Sequence, residues 1–302
     1  MVSSIANLLV VLAFAPLLLG VINKTKSLVA GRTGPPVVQV YYDLAKLLRK
    51  GFVVSRTTTW VFLAGPVLSV VAPVVAVLLL PLGGRPALLA FTGDMILFVA
   101  VFALARFFVA AAAMDTGSPF EGMGAAREVT FSALAEPALL FGMLALTRLS
   151  GSLSLTGMLD LGAAGAWQKA SASIVLILAS WFMVLLAENA RVPFDDPNTH
   201  LELTMIHEVM VLDHAGPAFG FILYGVALKL TVFAALIVTL LIPARSGGDA
   251  LDLALFLGGL LGVAVAVGLV ESSMARLRLV RVPQLLVTAT LLAGFAMVLL
   301  VR

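Results

Sequence analysis

The sequence predicts an all-α integral membrane protein with eight transmembrane helices and an in-plane amphipathic helix in the first cytoplasmic loop. Three observations predict it. The 302 residues are 61% hydrophobic and only 12% charged, about half the charged share of a soluble domain. Apolar runs close to the roughly 20 residues that cross a bilayer core as a helix occur at 2–22, 59–82, 95–113, 129–149, 171–187, 217–243, 251–270 and 283–301. Basic residues are also divided unequally between alternate loops. Loops 23–58, 114–128, 188–216 and 271–282 carry twelve Lys or Arg, whereas the opposite side carries five: Arg85, Arg148, Lys169, Arg245 and Arg302. The positive-inside rule then makes the twelve-charge side cytoplasmic and puts both termini outside the cytoplasmic (inner) membrane.

Composition also excludes functions. A net charge of +3 without a basic face interleaved with aromatics gives no footprint for nucleic acid. The absence of cysteine removes disulfides, thiolate-held iron–sulfur clusters and thiol nucleophiles from this chain. No repeat of 20–50 residues and no low-complexity tail divides the chain, so residues 1–302 are expected to form one membrane domain.

The first run, Val2–Ile22, lacks a basic leader and a small-residue cleavage pattern and reads as a retained span. The loop after it opens on Gly31-Arg-Thr-Gly-Pro-Pro36, a turn. Residues 37–50 then alternate with helical period. Tyr41, Leu44 and Leu48 fall on one face, and Gln39, Asp43, Lys46 and Lys50 on another. Such a helix either anchors at the headgroup plane or walls a cavity beneath the first spans, with Gln39, Asp43 and Lys46 as wall residues. The second span carries Pro66, Pro73 and Pro81, which predict a kink.

Arg106 lies in the third span, about 10 Å from its cytoplasmic end. An arginine at that depth either faces the bundle interior or snorkels. The next loop holds Asp115, Glu121 and Glu128 among glycines and reads as a bent, solvated connection. Glu136 of the fourth span is roughly 12–14 Å past Arg127. At that depth a carboxylate stays protonated or pairs with a cation, and a proton relay uses both states. Lys229, 13 residues into the sixth span, is the most central cation. It is expected to partner Glu136 or to belong to the proton path itself.

Between the fifth and sixth spans the acids concentrate. Glu188, Asp195, Asp196, Glu202, Glu208 and Asp213, six of the chain's sixteen, share residues 187–214 with Arg191 and all three histidines, His200, His207 and His214. Pro193 and Pro197 block a regular helix at the start. A new one is expected after an Asn198 or Thr199 cap, with Leu201, Leu203, Ile206, Met210 and Val211 apolar. Histidines seven residues apart on one helix stand about 10.5 Å from each other, too far to share one metal. They suit proton transfer or a wet docking surface instead.

Several strings resemble a known family. Ala187-Glu-Asn-x-Arg-x-Pro-Phe-Asp195 with Pro197 and Glu202-Leu203 is similar to the long cytoplasmic loop of membrane subunit 1 of proton-pumping NADH:quinone oxidoreductase, complex I. Gly31-Arg-x-Gly-Pro35 with Gln39, Asp43 and Lys46, and Arg127 with Glu136, resemble that subunit's other signatures. Leu104-Ala-Arg-Phe-Phe108, Asp115-Thr-Gly-Ser-Pro-Phe120, Ser132-Ala-Leu-Ala-Glu-Pro137 and His200-Leu-Glu-Leu-Thr-Met-Ile-His-Glu208 look like the equivalent subunit of group 4 membrane-bound nickel–iron hydrogenases, the branch of formate hydrogenlyase and hydrogenase-4.

The resemblance implies a non-catalytic subunit that binds no cofactor itself. It would dock a peripheral arm, a hydrogenase-like large subunit and an iron–sulfur small subunit, whose nickel–iron and iron–sulfur centres run the redox chemistry. It would couple that arm to antiporter-like membrane subunits. Glu136, Glu188, Arg191, Asp195 and Glu202 fall on the family's coupling and cavity positions. The proton-path candidates are then Glu136, Lys229, Arg106, Glu188, Glu202 and Glu128. The docking candidates are Arg191, Asp195, Asp196, His200, His207 and Glu208. Asp196-Pro-Asn-Thr-His200 departs from the complex I pattern and favours a hydrogenase-type partner over a quinone cavity. The other alternative, a stand-alone ion transporter, lacks an inverted repeat.

Overall fold

The computed structural model describes residues 2–160, 165–195, 205–242 and 248–301. Asp196, His200 and Glu202 lie outside the described residues, as do the expected cap at Asn198 or Thr199 and the apolar positions Leu201 and Leu203. Ten α-helices are described: α1 (Val2–Val29), α2 (Gln39–Leu48), α3 (Trp60–Leu79), α4 (Asp94–Asp115), α5 (Pro119–Ser150), α6 (Leu155–Leu159), α7 (Ala166–Glu188), α8 (Gly216–Leu241), α9 (Asp249–Ser273) and α10 (Val282–Val301). All but α2 and α6 fall in the eight segments long and apolar enough to cross a membrane. No strand occurs among the described residues beyond an isolated bridge between Leu82 and Arg85.

The helix ends follow local chemistry. Thr59 caps α3, its hydroxyl accepting from Val61 N at 3.3 Å. The cap is itself held by Asp115 at the end of α4, which accepts from Thr59 N at 2.6 Å. Pro66 and Pro73 stay inside α3, but Pro81 does not. The residue before a proline is driven to extended backbone, and Leu80 takes that conformation and ends the helix.

The fourth span corrects the expectation of a solvated loop over 114–128. The connection is only Thr116–Ser118, and α5 starts at Pro119, whose fixed φ and missing N–H suit a first helical position. Glu121 and Glu128 are therefore helical. Glu121 is fully buried, accepting from Thr116 Oγ1 and, at 3.1 Å, from Asp213 N. The α2 helix forms where the period placed it, with one correction to its faces. Val40 is the buried residue, Leu44 packs partly against the core, and Leu48 is exposed.

The core runs through α8, which packs on α1, α2, α3, α7 and α9. Membrane helices gain no hydrophobic drive from one another and associate through close backbone approach. At Gly225 a Cβ would lie 2.3 Å from Ser69 O, so only glycine lets α8 and α3 cross there. Connections 30–59, 116–118 and 274–281, with the described parts of 189–215, gather at one end of the bundle, the loop face. There Leu277 N donates to Pro193 O at 3.0 Å. The other end is tied by Asp94, which accepts from Leu155 N at 2.6 Å and Ser154 Oγ at 2.9 Å.

Candidate functional site

Four charged side chains from four helices meet inside the bundle. Arg106 of α4 turns inward rather than toward the surface, and its side chain is 10% exposed. One guanidinium nitrogen donates to Glu188 Oε1 at 2.7 Å, and the other pairs with Glu136 Oε1. Glu188, at the end of α7, is 5% exposed and holds Lys229 Nζ at 2.8 Å through its second oxygen. The order is thus Glu136–Arg106–Glu188–Lys229. It corrects the expected pairing of Lys229 with Glu136: Lys229 meets Glu188, and Arg106 bridges the two carboxylates. Two cations and two carboxylates cancel, which is how charge persists in a low-dielectric interior.

Cavities lead from this cluster to the loop face. One of about 530 Å³, partly open to solvent, is lined by Arg106, Lys229, Glu128, His207, Ile222 and Val226 among others. A larger one of about 920 Å³ lies between α1, α2, α8 and the loop, lined by Asn23, Asp43, Arg191, His207, Glu208, Ile222 and Val226 among others. His207, Ile222 and Val226 line both, so His207 stands at their junction, with a buried Nε2 that has no partner among the described residues. Of the expected cavity-wall residues, Asp43 lines the larger cavity. Gln39 stands behind it, donating to Asp43 Oδ1 at 3.0 Å, and Lys46 is exposed on the outer face.

The loop itself is pinned by inward-facing ions. Arg191 is 6% and Asp195 1% exposed. Arg191 reaches Glu271 Oε1 at 3.4 Å, and Lys26 Nζ reaches the other Glu271 oxygen at 2.8 Å. Asp195 pairs with Arg276 at 2.9 Å and accepts from the backbone of Ile206 and His207 at 3.0 and 3.2 Å. These bonds fold the loop back on itself and tie it to α1 and α9. Met205 O accepts from Arg127 at 2.9 Å.

The expected second loop helix is, among the described residues, a 3-10 turn over Glu208–Val211. His207 and His214 therefore do not continue one helical face. His214 is buried, stacked 4.0 Å from the Phe62 ring with Nε2 3.3 Å from Phe62 O. Burial holds its imidazole below the ordinary histidine range, against opposing pulls from the Phe62 carbonyl and Asp213.

Reading by span missed Glu271, Lys26 and Arg276. Glu271 is the lone acid between the seventh apolar run and three arginines, a pattern that signals pairing. Glu121 was hidden by the glycines around it, which resembled a loop.

The chain matches the family described as NADH dehydrogenase over residues 2–302. It is 33% identical over 284 residues to formate hydrogenlyase subunit 4 of Escherichia coli, covering 92% of this chain and 91% of that protein. It is 30% identical to hydrogenase-4 component C of Escherichia coli, covering 80% and 75%. With a subunit of the NADH-quinone oxidoreductase of Rubrobacter xylanophilus the identity is 26%, over 67% of this chain and 63% of that one. A chain of the membrane-bound sulfane sulfur reductase, an archaeal respiratory membrane complex, shares the fold with a TM-score of 0.84 at 20% identity over 99% of this chain and 98% of that chain.

Proposed function

The chain belongs to the NADH dehydrogenase family, which includes membrane subunit 1 of complex I, and from that premise we propose that it is the ion-coupling membrane subunit of a group 4 nickel–iron hydrogenase or formate hydrogenlyase-type complex. It is a multi-pass membrane protein related to membrane subunits of oxidoreductase complexes. Its loop face is cytoplasmic in the inner membrane and receives the peripheral redox arm, whose subunits carry the metal centres. Antiporter-like subunits lie beside it in the bilayer.

The observation that carries this reading is the Glu136–Arg106–Glu188–Lys229 cluster, joined by cavities to the loop. A change of one unit charge about 10 Å away shifts the energy of an ionised group by about 1–2 kcal/mol at an effective dielectric near 20. That biases where a proton resides without driving a long stroke. Glu188 is the sensitive member. It holds Lys229 and shares Arg106 with Glu136, so a proton gained at Glu136 frees Arg106 to bind Glu188 more fully. His207 and Glu128, at the cavity junction and within the inner cavity, carry the path toward the loop. Asp43 and Glu208, which line the larger cavity, extend it toward the surface; Glu202 and His200 lie outside the described residues. Arg191 and Asp195 act as positioning residues: they fix the loop against which the arm rests.

Glu136→Gln, assayed in inside-out vesicles of the intact complex, is expected to abolish coupled ion movement while redox activity and assembly persist. Full ion movement in that variant would remove the relay. A second reading, a quinone-cavity subunit, is favoured by one observation, the solvent-open cleft between α1, α2, α8 and the loop. Quinone retained stoichiometrically by the purified complex would select it.

A further inference from the structure

The polypeptide between α2 and α3 carries a charge pattern that the coupling role leaves unused. Lys46, Arg49, Lys50 and Arg56 are all exposed, and no acid occurs from Leu44 to Trp60. Exposed apolar side chains alternate with these cations: Phe52 is 41%, Val53 79% and Trp60 70% exposed. The Trp60 ring centroid lies 6.3 Å from that of Phe108, yet Trp60 stays 70% exposed, so the described residues leave these apolar groups largely uncovered.

Packing fixes the depth of the tract. Trp60 is the first residue of α3, a membrane-crossing helix. A Cβ built on Gly216, where α8 enters the bundle, would lie 2.5 Å from Gly51 O and 3.5 Å from Lys50 O. Gly220, one turn further, meets Leu47. The end of α2 therefore runs antiparallel to the first turn of α8, and the tract rises to the level where two spans begin. That level is the membrane–water boundary. An exposed tryptophan there matches the interfacial preference of amphipathic rings. Cations there stand within a Debye length, about 8 Å at physiological ionic strength, of lipid phosphates.

We propose that residues 46–60 bind the headgroups of anionic phospholipids in the leaflet on the loop face, with Phe52, Val53 and Trp60 inserted among the upper acyl carbons. Cations paired to phosphate and apolar side chains immersed below them satisfy both halves of the pattern at once. An acidic protein surface would satisfy the cations but leave Val53 and Trp60 facing charge. Each basic residue near an anionic surface strengthens association about five-fold. Removing three therefore weakens it on the order of a hundred-fold.

Trp60 provides the readout. The full-length chain is reconstituted in vesicles of phosphatidylcholine with increasing brominated phosphatidylglycerol, and separately with brominated phosphatidylcholine. Quenching assigned to Trp60 is obtained by difference from the Trp60→Phe protein. The expected result is stronger quenching by brominated phosphatidylglycerol at equal mole fraction, lost at high salt and lost in Arg49→Gln/Lys50→Gln/Arg56→Gln. The charge-conserving Arg49→Lys/Arg56→Lys protein is expected to keep the preference. All altered side chains are exposed, so folding is not at stake. Equal quenching by the two lipids in the unaltered chain overturns the proposal. So does absence of Trp60 quenching by either lipid, which would place the tract away from the bilayer.

Discussion

Replacing Lys229 with methionine leaves the Glu188 carboxylate with Arg106 as its remaining cationic contact. At the 2.8 Å separation of Nζ and the carboxylate oxygen, the attraction is about 6 kcal/mol at an effective dielectric of 20. Desolvation of each ion separately cancels in a double-mutant cycle, while relaxation of the site and the neighbouring Arg106 offset part of the attraction. A net coupling of about 2–3 kcal/mol between the two side chains remains. The single variants Lys229→Met and Glu188→Gln should each destabilise the protein, because the first leaves two carboxylates sharing Arg106 and the second leaves Lys229 without its carboxylate. The double variant strands neither, and Arg106 keeps Glu136. It should therefore be less destabilised than the sum of the singles by about 2–3 kcal/mol. Reversible unfolding of the purified chain in mixed micelles, taken through the full double-mutant cycle, measures this coupling. Additivity within about 0.5 kcal/mol would mean that the two charges do not interact. The four-residue cluster would then lose one end.

Asp195→Ala removes the acceptor for two backbone amides and the partner of Arg276. It should cost about 3–5 kcal/mol locally, read as faster proteolysis of the loop with the spans intact. Gly124→Ala would place a methyl 2.3 Å from Val209 Cγ1 and 2.9 Å from Ile206 O. Overpacking there should lower stability by about 1–3 kcal/mol and raise hydrogen exchange over 205–211. Buried His214 binds its proton less readily folded than unfolded. Its contribution is thus complete above the ordinary histidine value of 6.5 and is lost as pH falls from there through the lowered folded value. Hydrogen exchange over 205–215 should rise on acidification across that window, and His214→Gln should flatten the dependence.

Certain elements were legible because one physical constraint writes them into the chain. A helix that crosses a bilayer core needs about 20 mostly apolar residues, so the eight spans and the position of the acidic loop could be read directly. The burial cost of charge likewise singled out Arg106, Glu136 and Lys229. Errors came where local signals conflicted. The glycines of 114–128 resembled a loop, yet Pro119 starts α5 there and packs its small residues against the 206–210 segment. Pro81 belonged by hydropathy to the second span, but its effect on Leu80 ends the helix first.

Sequence alone determined the membrane architecture, the family resemblance and the depth of Arg106, Glu136 and Lys229, since each depends on residue type and spacing along one chain. Tertiary structure alone decided who pairs with whom. The rotation of each helix about its own axis brought Arg106, not Lys229, to Glu136, and brought Glu271 between Lys26 and Arg191. Rotation is set by contacts such as Gly225 on Ser69. A lipid-facing helix has apolar residues on every side, so its own sequence does not say which side turns inward.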